Sequence, residues 1–537
     1  SVNLGTGLTL ADSTVTLNTA GQTFTQLANG RLSAVGGVHE GTIGTGALSL
    51  NGATVNFAIN NADWAPNAGG TISSTTSSGL IGNTATFILN ATDVIHVDLL
   101  GSLRNGQTYT LIDANTGNTA DPATSNYTDN SFVISSSLVQ TAGDLVVNFS
   151  RANDVYATLT NTATTDIAYD AAVRLGTLAA AGSAYSEDMQ VVFNKLDIDQ
   201  WGYGNNQANL TEQVGRMAPI ANNSLSTAAF RTASVVADSI GTRMHLLRKA
   251  EEETTPQSLW VSTSVNSGSQ DAIGQFDGFD YRVNAFSLGA DKRFSDDSLV
   301  GVALSLGSTS VDQNGFRAGD DAGVQGTYLS LYGAMNITPE FYVGATLSGG
   351  QVATESDRAA IVGRTARGEF DTSSVTGKVD LGYKIHLGDS KAYLTPIASF
   401  ETTRLNQDAY TETGAGAAGL NVASQSLTRN EAAAGLRFEM VDQWNGMVIK
   451  PELTVLATRV SGAFAKDVDS SFIGDTSATS FTTETIDTAD YDTNGFKVDL
   501  GIGLLMSERS SMSLRAQHSA TGDTDEQRID LTARWQF

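Results

Sequence analysis

The sequence predicts an all-β chain whose C-terminal half is a 12-stranded antiparallel transmembrane β-barrel. Three observations predict it. From Trp260 to the end, apolar and polar side chains alternate with period two almost without a break. The alternating runs form twelve segments, many of ten residues or more, whereas strands of soluble sandwiches average about five or six residues. The connections alternate between short turns and long polar loops, as on the two sides of an outer-membrane barrel.

Taken in order, the elements are these. Residues 1–150 contain only two cations, Arg31 and Arg104, and read as short strands broken by Gly and Asn, such as Leu8 to Leu10, Val15 to Leu17, Leu48 to Leu50 and Val55 to Phe57. Short strands with frequent turns and no helical period suggest a β-solenoid, whose coils stack on one another, with a β-sandwich as its rival. Gly106 to Asp113 and Gly143 to Phe149 read as the strands that close the solenoid. Residues 165–249 switch to helix. Ile167, Ala171, Ala172 and Leu175 recur at three- and four-residue spacing, and Met189, Val192 and Leu196 follow the cap-like Ser186-Glu187-Asp188. From Ser224 to Lys249 there is no Pro and one Gly, Gly241; Ala229, Val236, Ile240 and Met244 share one face, with Arg231, Arg243 and Arg248 elsewhere. Pro256 marks the end of the helical stretch.

The twelve strands are expected near 258–266, 279–294, 298–311, 324–337, 340–354, 364–388, 391–408, 421–440, 446–464, 481–507, 510–521 and 525–537. Short turns fall at Ser295 to Asp297, Thr338-Pro339, Asp389-Ser390, Asp442 to Asn445 and Glu508-Arg509, and long loops near 267–278, 312–323, 355–363, 409–420 and 465–480. The faces separate within strands. In the sixth, Val375, Val379, Leu381 and Tyr383 oppose Lys378, Asp380 and Lys384; in the eighth, Leu436 and Phe438 oppose Glu431, Arg437 and Glu439; in the tenth, Phe496, Leu500 and Ile502 oppose Lys497 and Asp499. The candidate lumen-facing charges are therefore Lys378, Lys384, Arg437, Glu439, Lys497 and Asp499. Trp260, Trp444 and Trp535 fall at the predicted periplasmic rim, where an aromatic belt belongs.

Composition agrees with a membrane barrel and excludes other classes. The chain has 54 Gly, 7 Pro and no Cys, a pattern of β-structure with many tight turns and, for an exported chain, of freedom from mispaired thiols. Mean hydropathy is -0.11, which an alternating strand produces as readily as a soluble enzyme does. There is no apolar run long enough for a transmembrane helix. A net charge of -26 argues against nucleic acid as a partner, because no basic patch is available to neutralise phosphates. No signal peptide is visible at Ser1 to Leu4, so an exported chain is expected to be a processed or truncated one.

The order of segments, with Gly106 to Asp113, Gly143 to Arg151, Gln213 to Pro219, Thr242-Arg243-Met244 before Leu259-Trp260-Val261, Ser287 to Asp291 and the terminal Ala533 to Phe537, resembles the classical monomeric autotransporters (type V secretion) of Gram-negative bacteria. The resemblance implies a passenger remnant over 1–160, a helical linker over 161–257 with a pore helix at 224–249 lying in the lumen, and an autotransporter β-barrel over 258–537. It implies an outer-membrane translocator that anchors and displays or secretes its own N-terminal segment. Its partners would be outer-membrane lipid, the barrel-assembly machinery and periplasmic chaperones. Ile529, Leu531, Ala533, Trp535 and Phe537 would be the C-terminal signal read by that machinery. Twelve strands leave room inside for one helix. Some family members cut themselves between paired Asn residues in the pore. Asn222-Asn223 is the candidate here, although a helix cap at Asn223 or Ser224 accounts for the same residues. The alternative functions are a surface adhesin or enzyme with its activity in the N-terminal segment, and a simple diffusion channel.

Other motifs have structural explanations. Gly414 to Gly419 matches G-x-G-x-x-G but lies in a predicted outer loop, without the buried strand and following helix a dinucleotide site needs. Asp490 to Gly495 matches the start of a calcium loop, but the twelfth position is Gly501 instead of Glu. Gly388-Asp389-Ser390 resembles an esterase nucleophile block but sits in a predicted hairpin turn. With five scattered His and no Cys, the sequence nominates no metal ligands, cofactor site or catalytic residues.

Overall fold

In the computed structural model the described residues are the short strands between 8 and 88, then 94–114, 126–141, 144–159, 168–198, 207–220, 223–248 and 257–536, apart from 296, 389–390, 445–446, 465, 486–492 and 508. Asn222 and Phe537 lie outside them, as do Asp490 to Asp492 of the calcium-like stretch. The chain forms two compact units. The first comprises residues 1–217 with 416–418 and 472–479; the second holds the rest.

In the first unit, short strands pair in parallel with the strand three places along the chain, except that Val94–Leu99 pairs with the strand two places along. One ladder joins Leu8–Leu10, Arg31–Ala34, Thr54–Ile59, Val94–Leu99 and Asn126–Asp129. A second joins Thr16–Leu17, His39–Ile43, Ser78–Gly82 and Thr108–Ala114. The third joins Gln22–Thr25, Gly46–Ser49 and Thr86–Ile88. The second ladder ends in an antiparallel pair, Asp144–Ser150 and Ser135–Thr141. Alternate residues point inward, so Ile95, Val97, Leu99, Tyr109, Leu111, Leu145, Val147 and Phe149 are buried.

Four helices follow: α1 (Val155–Leu159), α2 (Tyr169–Ala181), α3 (Glu187–Asp197) and α4 (Gln207–Gly215). Helix α3 starts where the sequence places a cap, because the Ser186 side chain accepts from the Met189 amide. Ala171, Ala172 and Leu175 of α2, and Met189, Val192 and Leu196 of α3, are buried.

The second unit is a closed antiparallel ring of twelve strands: 257–270, 279–295, 298–313, 321–336, 341–359, 365–383, 392–407, 425–440, 447–461, 494–507, 510–521 and 524–536. The twelfth pairs with the first from Ser258 opposite Gln536 to Gln270 opposite Thr524, which closes the ring. Period two has a direct physical result here. In the third strand Val300, Val302, Leu304 and Leu306 face outward, followed by polar Ser308, Ser310 and Asp312 towards the long loop. Outward side chains such as Leu329 (68% exposed) and Ile529 (58% exposed) have no protein to cover them, which is stable only against lipid.

The structure departs from expectation at several points; the eighth strand, for example, starts at Gln425 rather than at 421. The sixth breaks at Lys384, beside Pro396 of the seventh, which has no amide hydrogen to continue the ladder. The tenth starts at Asn494. Residues 481–483, expected to lead into it, instead join 410–411, 420–422 and 468–472 in a separate four-stranded sheet built from two long loops. Trp260 is not a belt residue. Its position in the first strand has inward parity, and the ring is fully buried, with Nε1 donating to the Tyr332 hydroxyl at 2.6 Å. Trp535 does face outward, 48% exposed.

The helix-filled lumen as candidate functional site

Helix α5 (Ser224–Arg248) occupies the barrel interior. Its 25 residues give a length of about 37 Å, enough to cross a hydrocarbon core of about 30 Å. One face is dry. Ala229, Ala233, Val236, Ile240 and Met244 pack into a single buried cluster with Val283, Ala303, Val324, Tyr328 and Val352 of the second to fifth strands. The inner wall is shaped for this. A Cβ on Gly307 would lie 2.4 Å from the Thr232 methyl, and a Cβ on Gly289 would lie 2.4 Å from the Trp260 ring. Glycine at those two positions creates the recesses that receive the helix and the indole.

The polar residues of α5 are tied to the wall along the whole length. At the long-loop end the Gln313 amide donates to Ser224 Oγ at 2.6 Å, and Arg317 donates to the carbonyls of Ala218 and Pro219 at 2.9 and 3.1 Å. Asn223, just before the helix, has a left-handed φ of 59°, and its carbonyl accepts from Thr227 at 2.8 Å. Further in, Arg231 pairs with Glu526 at 3.1 Å, and Thr232 meets Thr309 at 2.7 Å. Ser234 donates to Glu401 at 2.8 Å. Asp238 takes Lys378 on one side and Arg528, at 2.9 Å, on the other. Ser239 meets Ser264 at 3.0 Å. At the short-turn end Arg243 forms a two-pronged pair with Asp291, both contacts 3.0 Å, and donates to Ser258 at 2.6 Å.

Opposite the dry face, α5 borders a pocket lined by charged residues of the later strands, among them Asp380, Glu431, Arg437, Asp499 and Arg515. Several of these charges are paired across strands, Lys497 with Glu431 and Arg515 with Asp499 at 2.8 Å and with Glu452 at 3.2 Å, while Arg528 pairs with Asp530 at 2.8 Å along its own strand. Interleaved signs give a polar lining with little net field.

Among the six charges nominated from sequence, Lys378 touches α5 directly. Lys497, Asp499 and Arg437 line the pocket. Glu439 is buried on the same face of the eighth strand as Arg437. Lys384 sits at the short-turn end, its ammonium 3.9 Å from the centre of the Tyr393 ring. Ile529, Leu531, Ala533 and Trp535 share the outward face of the last strand. Sequence reasoning did not nominate Asp238, Asp291, Glu526, Arg528 or Asp530. Inward parity in the last strand pointed to three of these, since Glu526, Arg528 and Asp530 are consecutive inward residues. Among the described residues no group of three or more His, Asp or Glu is placed to hold a metal ion.

A family model for the autotransporter beta-domain matches residues 259–517. Outer membrane protein A of Rickettsia conorii is 26% identical over 259 residues, covering 46% of this chain and 12% of that protein. Outer membrane protein B of Rickettsia rickettsii is 22% identical over 455 residues, covering 74% of this chain and 26% of that protein. The chain thus spans about a quarter or less of the length of these curated relatives. The solved translocator domain of autotransporter NalP from Neisseria meningitidis is 14% identical, with a TM-score of 0.44 over 57% of this chain and 98% of that one. The region this family model matches coincides with a closed ring of lipid-facing strands around an interior helix, so residues 259–517 form an autotransporter β-domain of the outer membrane.

Proposed function

We propose that this chain is a translocator that carries its own N-terminal segment to the cell surface and anchors it there. The observation that supports this most directly is the direction of α5. Its start is held by Gln313 at the long-loop end and its last turns by Asp291 and Ser258 at the short-turn end. Long loops face the exterior in outer-membrane barrels, so whatever precedes Ser224 leaves the lumen on the outside. In this reading residues 1–160 are the displayed remnant of a passenger, 161–257 the linker and 258–537 the anchor. The three parallel ladders with a three-strand offset support a β-solenoid for the displayed part. Barrel-assembly machinery and periplasmic chaperones are the expected helpers, with Ile529, Leu531, Ala533, Trp535 and Phe537 as the segment they read. Any adhesive or enzymatic activity would belong to the displayed part.

Protease added to intact cells tests the proposal. An epitope placed in residues 1–150 should be lost while the barrel remains. Protection of that epitope until the cells are lysed would overturn it. Conductance separates this reading from a plain diffusion channel, whose pore α5 would leave open. In planar bilayers, removal of residues 224–248 should raise single-channel conductance several-fold, because α5 fills much of the cross-section; equal conductance would mean that the helix does not obstruct the pore.

A further inference from the structure

Residues 416–418 and 472–479 come from the two loops that leave the barrel after the seventh and ninth strands, yet they belong to the first unit. There they complete the α2–α3 pair. Asp475 is 4% exposed and accepts from Arg174 of α2 at 2.7 Å through Nε, with a second contact through the other guanidinium nitrogen. Arg174 also donates to Ser477 at 2.7 Å, and Ser477 in turn holds Asp475 at 2.6 Å. The backbone joins in: Ser186 N–H donates to the Gly474 carbonyl at 2.8 Å, and Thr476 N–H to the Ala184 carbonyl at 2.9 Å. Asp188, in the first turn of α3, accepts from the Ala417 amide at 2.7 Å. Packing is equally close, since a Cβ on Gly474 would lie 2.8 Å from the Met189 methyl. Ala184 holds a left-handed φ of 65°, a conformation costly for a residue with a Cβ and retained where surrounding contacts fix it.

We infer that residues 416–418 and 472–479 form a built-in docking site for the α2–α3 segment of the same chain, recognised through Arg174 and the Ser186 turn. The inference rests on the proposed export only for where docking happens. The loops are outside the membrane, so the segment reaches its site after it has crossed. The same contacts order both sides, so loops and helices protect each other. The electrostatic part is directional: an arginine on the arriving segment meets a buried carboxylate.

Trypsin cleavage after Lys195 of α3, followed on the purified full-length protein in detergent, tests the docking. Arg174→Asp alone and Asp475→Arg alone should each raise the cleavage rate at least about tenfold, because each removes one partner of a largely buried pair. The double exchange, which restores opposite charges, should recover most of the protection. Wild-type rates in both single variants overturn the inference, as does a double variant no more protected than the worse single one. The same digestion on intact cells separates export from docking. Cleavage of the single variants in detergent but not on cells sinks the export reading and leaves the docking site standing.

Discussion

Replacing Asp291 with Ala is expected to destabilise the filled barrel by about 3–5 kcal/mol, the usual cost of leaving one half of a buried ion pair without its partner. Arg243 is 1% exposed and Asp291 8%. The carboxylate is held by more than the guanidinium: Tyr332 donates to it at 2.9 Å, Trp260 donates to Tyr332 at 2.6 Å, and Ser258 bonds it as well. Its loss leaves a guanidinium in the lumen with Ser258 as its remaining hydrogen-bond partner in the cluster. Arg243→Met combined with Asp291→Leu should cost less than Asp291→Ala alone, because no uncompensated charge is left behind. The measurement is the temperature at which the compact, fast-migrating form on a gel converts to the slow one. The Ala variant should convert at a clearly lower temperature and the double variant in between. An unchanged conversion temperature in Asp291→Ala would show that this cluster does not hold the helix.

The second large effect is expected at Asp197→Ala, again about 3–5 kcal/mol, now in the first unit. Asp197 is fully buried at the end of α3 and accepts from Arg151 at 2.5 and 2.8 Å and from the Tyr156 hydroxyl at 2.6 Å, with Ser102 as a further partner. These contacts join the β-rich part, through Ser102 and Arg151, to α1 and α3. Burial pulls the Arg151 guanidinium towards its neutral form, but Asp197 and Tyr156 beside it more than reverse this, so its pKa lies above the ordinary value. Burial pushes the Tyr156 phenol well above its ordinary value, with Asp197 adding to the rise against Arg151. The sign follows. A phenol whose pKa is raised by folding contributes stability that is fully present below the unfolded value of about 10 and is lost as pH climbs above it. Protease resistance of the first unit should therefore fall on the alkaline side in the wild type. That part of the fall should be absent in Tyr156→Phe, and Asp197→Ala should be sensitive at neutral pH. A Tyr156→Phe profile identical to wild type would exclude the phenol as the titrating group.

The barrel was legible in the sequence because lipid imposes its pattern residue by residue. Val300, Val302, Leu304 and Leu306 announce an outward face without reference to any other strand. Helices α2 and α3 were legible for the same reason, since Ala171, Leu175, Met189, Val192 and Leu196 encode a local period and Ser186 a local cap. The inside of the barrel was only half legible. Parity gave Lys378 and Lys497 their side, but their partners lie 140 and 66 positions away, and no local signal pairs them. Trp260 shows how parity competes with composition: an aromatic near a rim suggests a belt, yet its place in the strand points it at Tyr332 and a glycine recess. Least legible was the union of Arg174 with Asp475 across 301 positions, because polar loops carry no period from which a partner is read.

The seam between the first and last strands bears on assembly. Ser258 meets Gln536 across the whole length of the barrel sequence, so this is the ladder with the largest sequence separation in the ring. Pairings of that kind form slowly, and until they form two strand edges of 14 and 13 residues stay open to stray chains. The first of those edges begins a few residues after α5, so the waiting template and the helix arrive as one covalent piece. Completion of the circle and enclosure of its contents are therefore linked, and both wait for the twelfth strand.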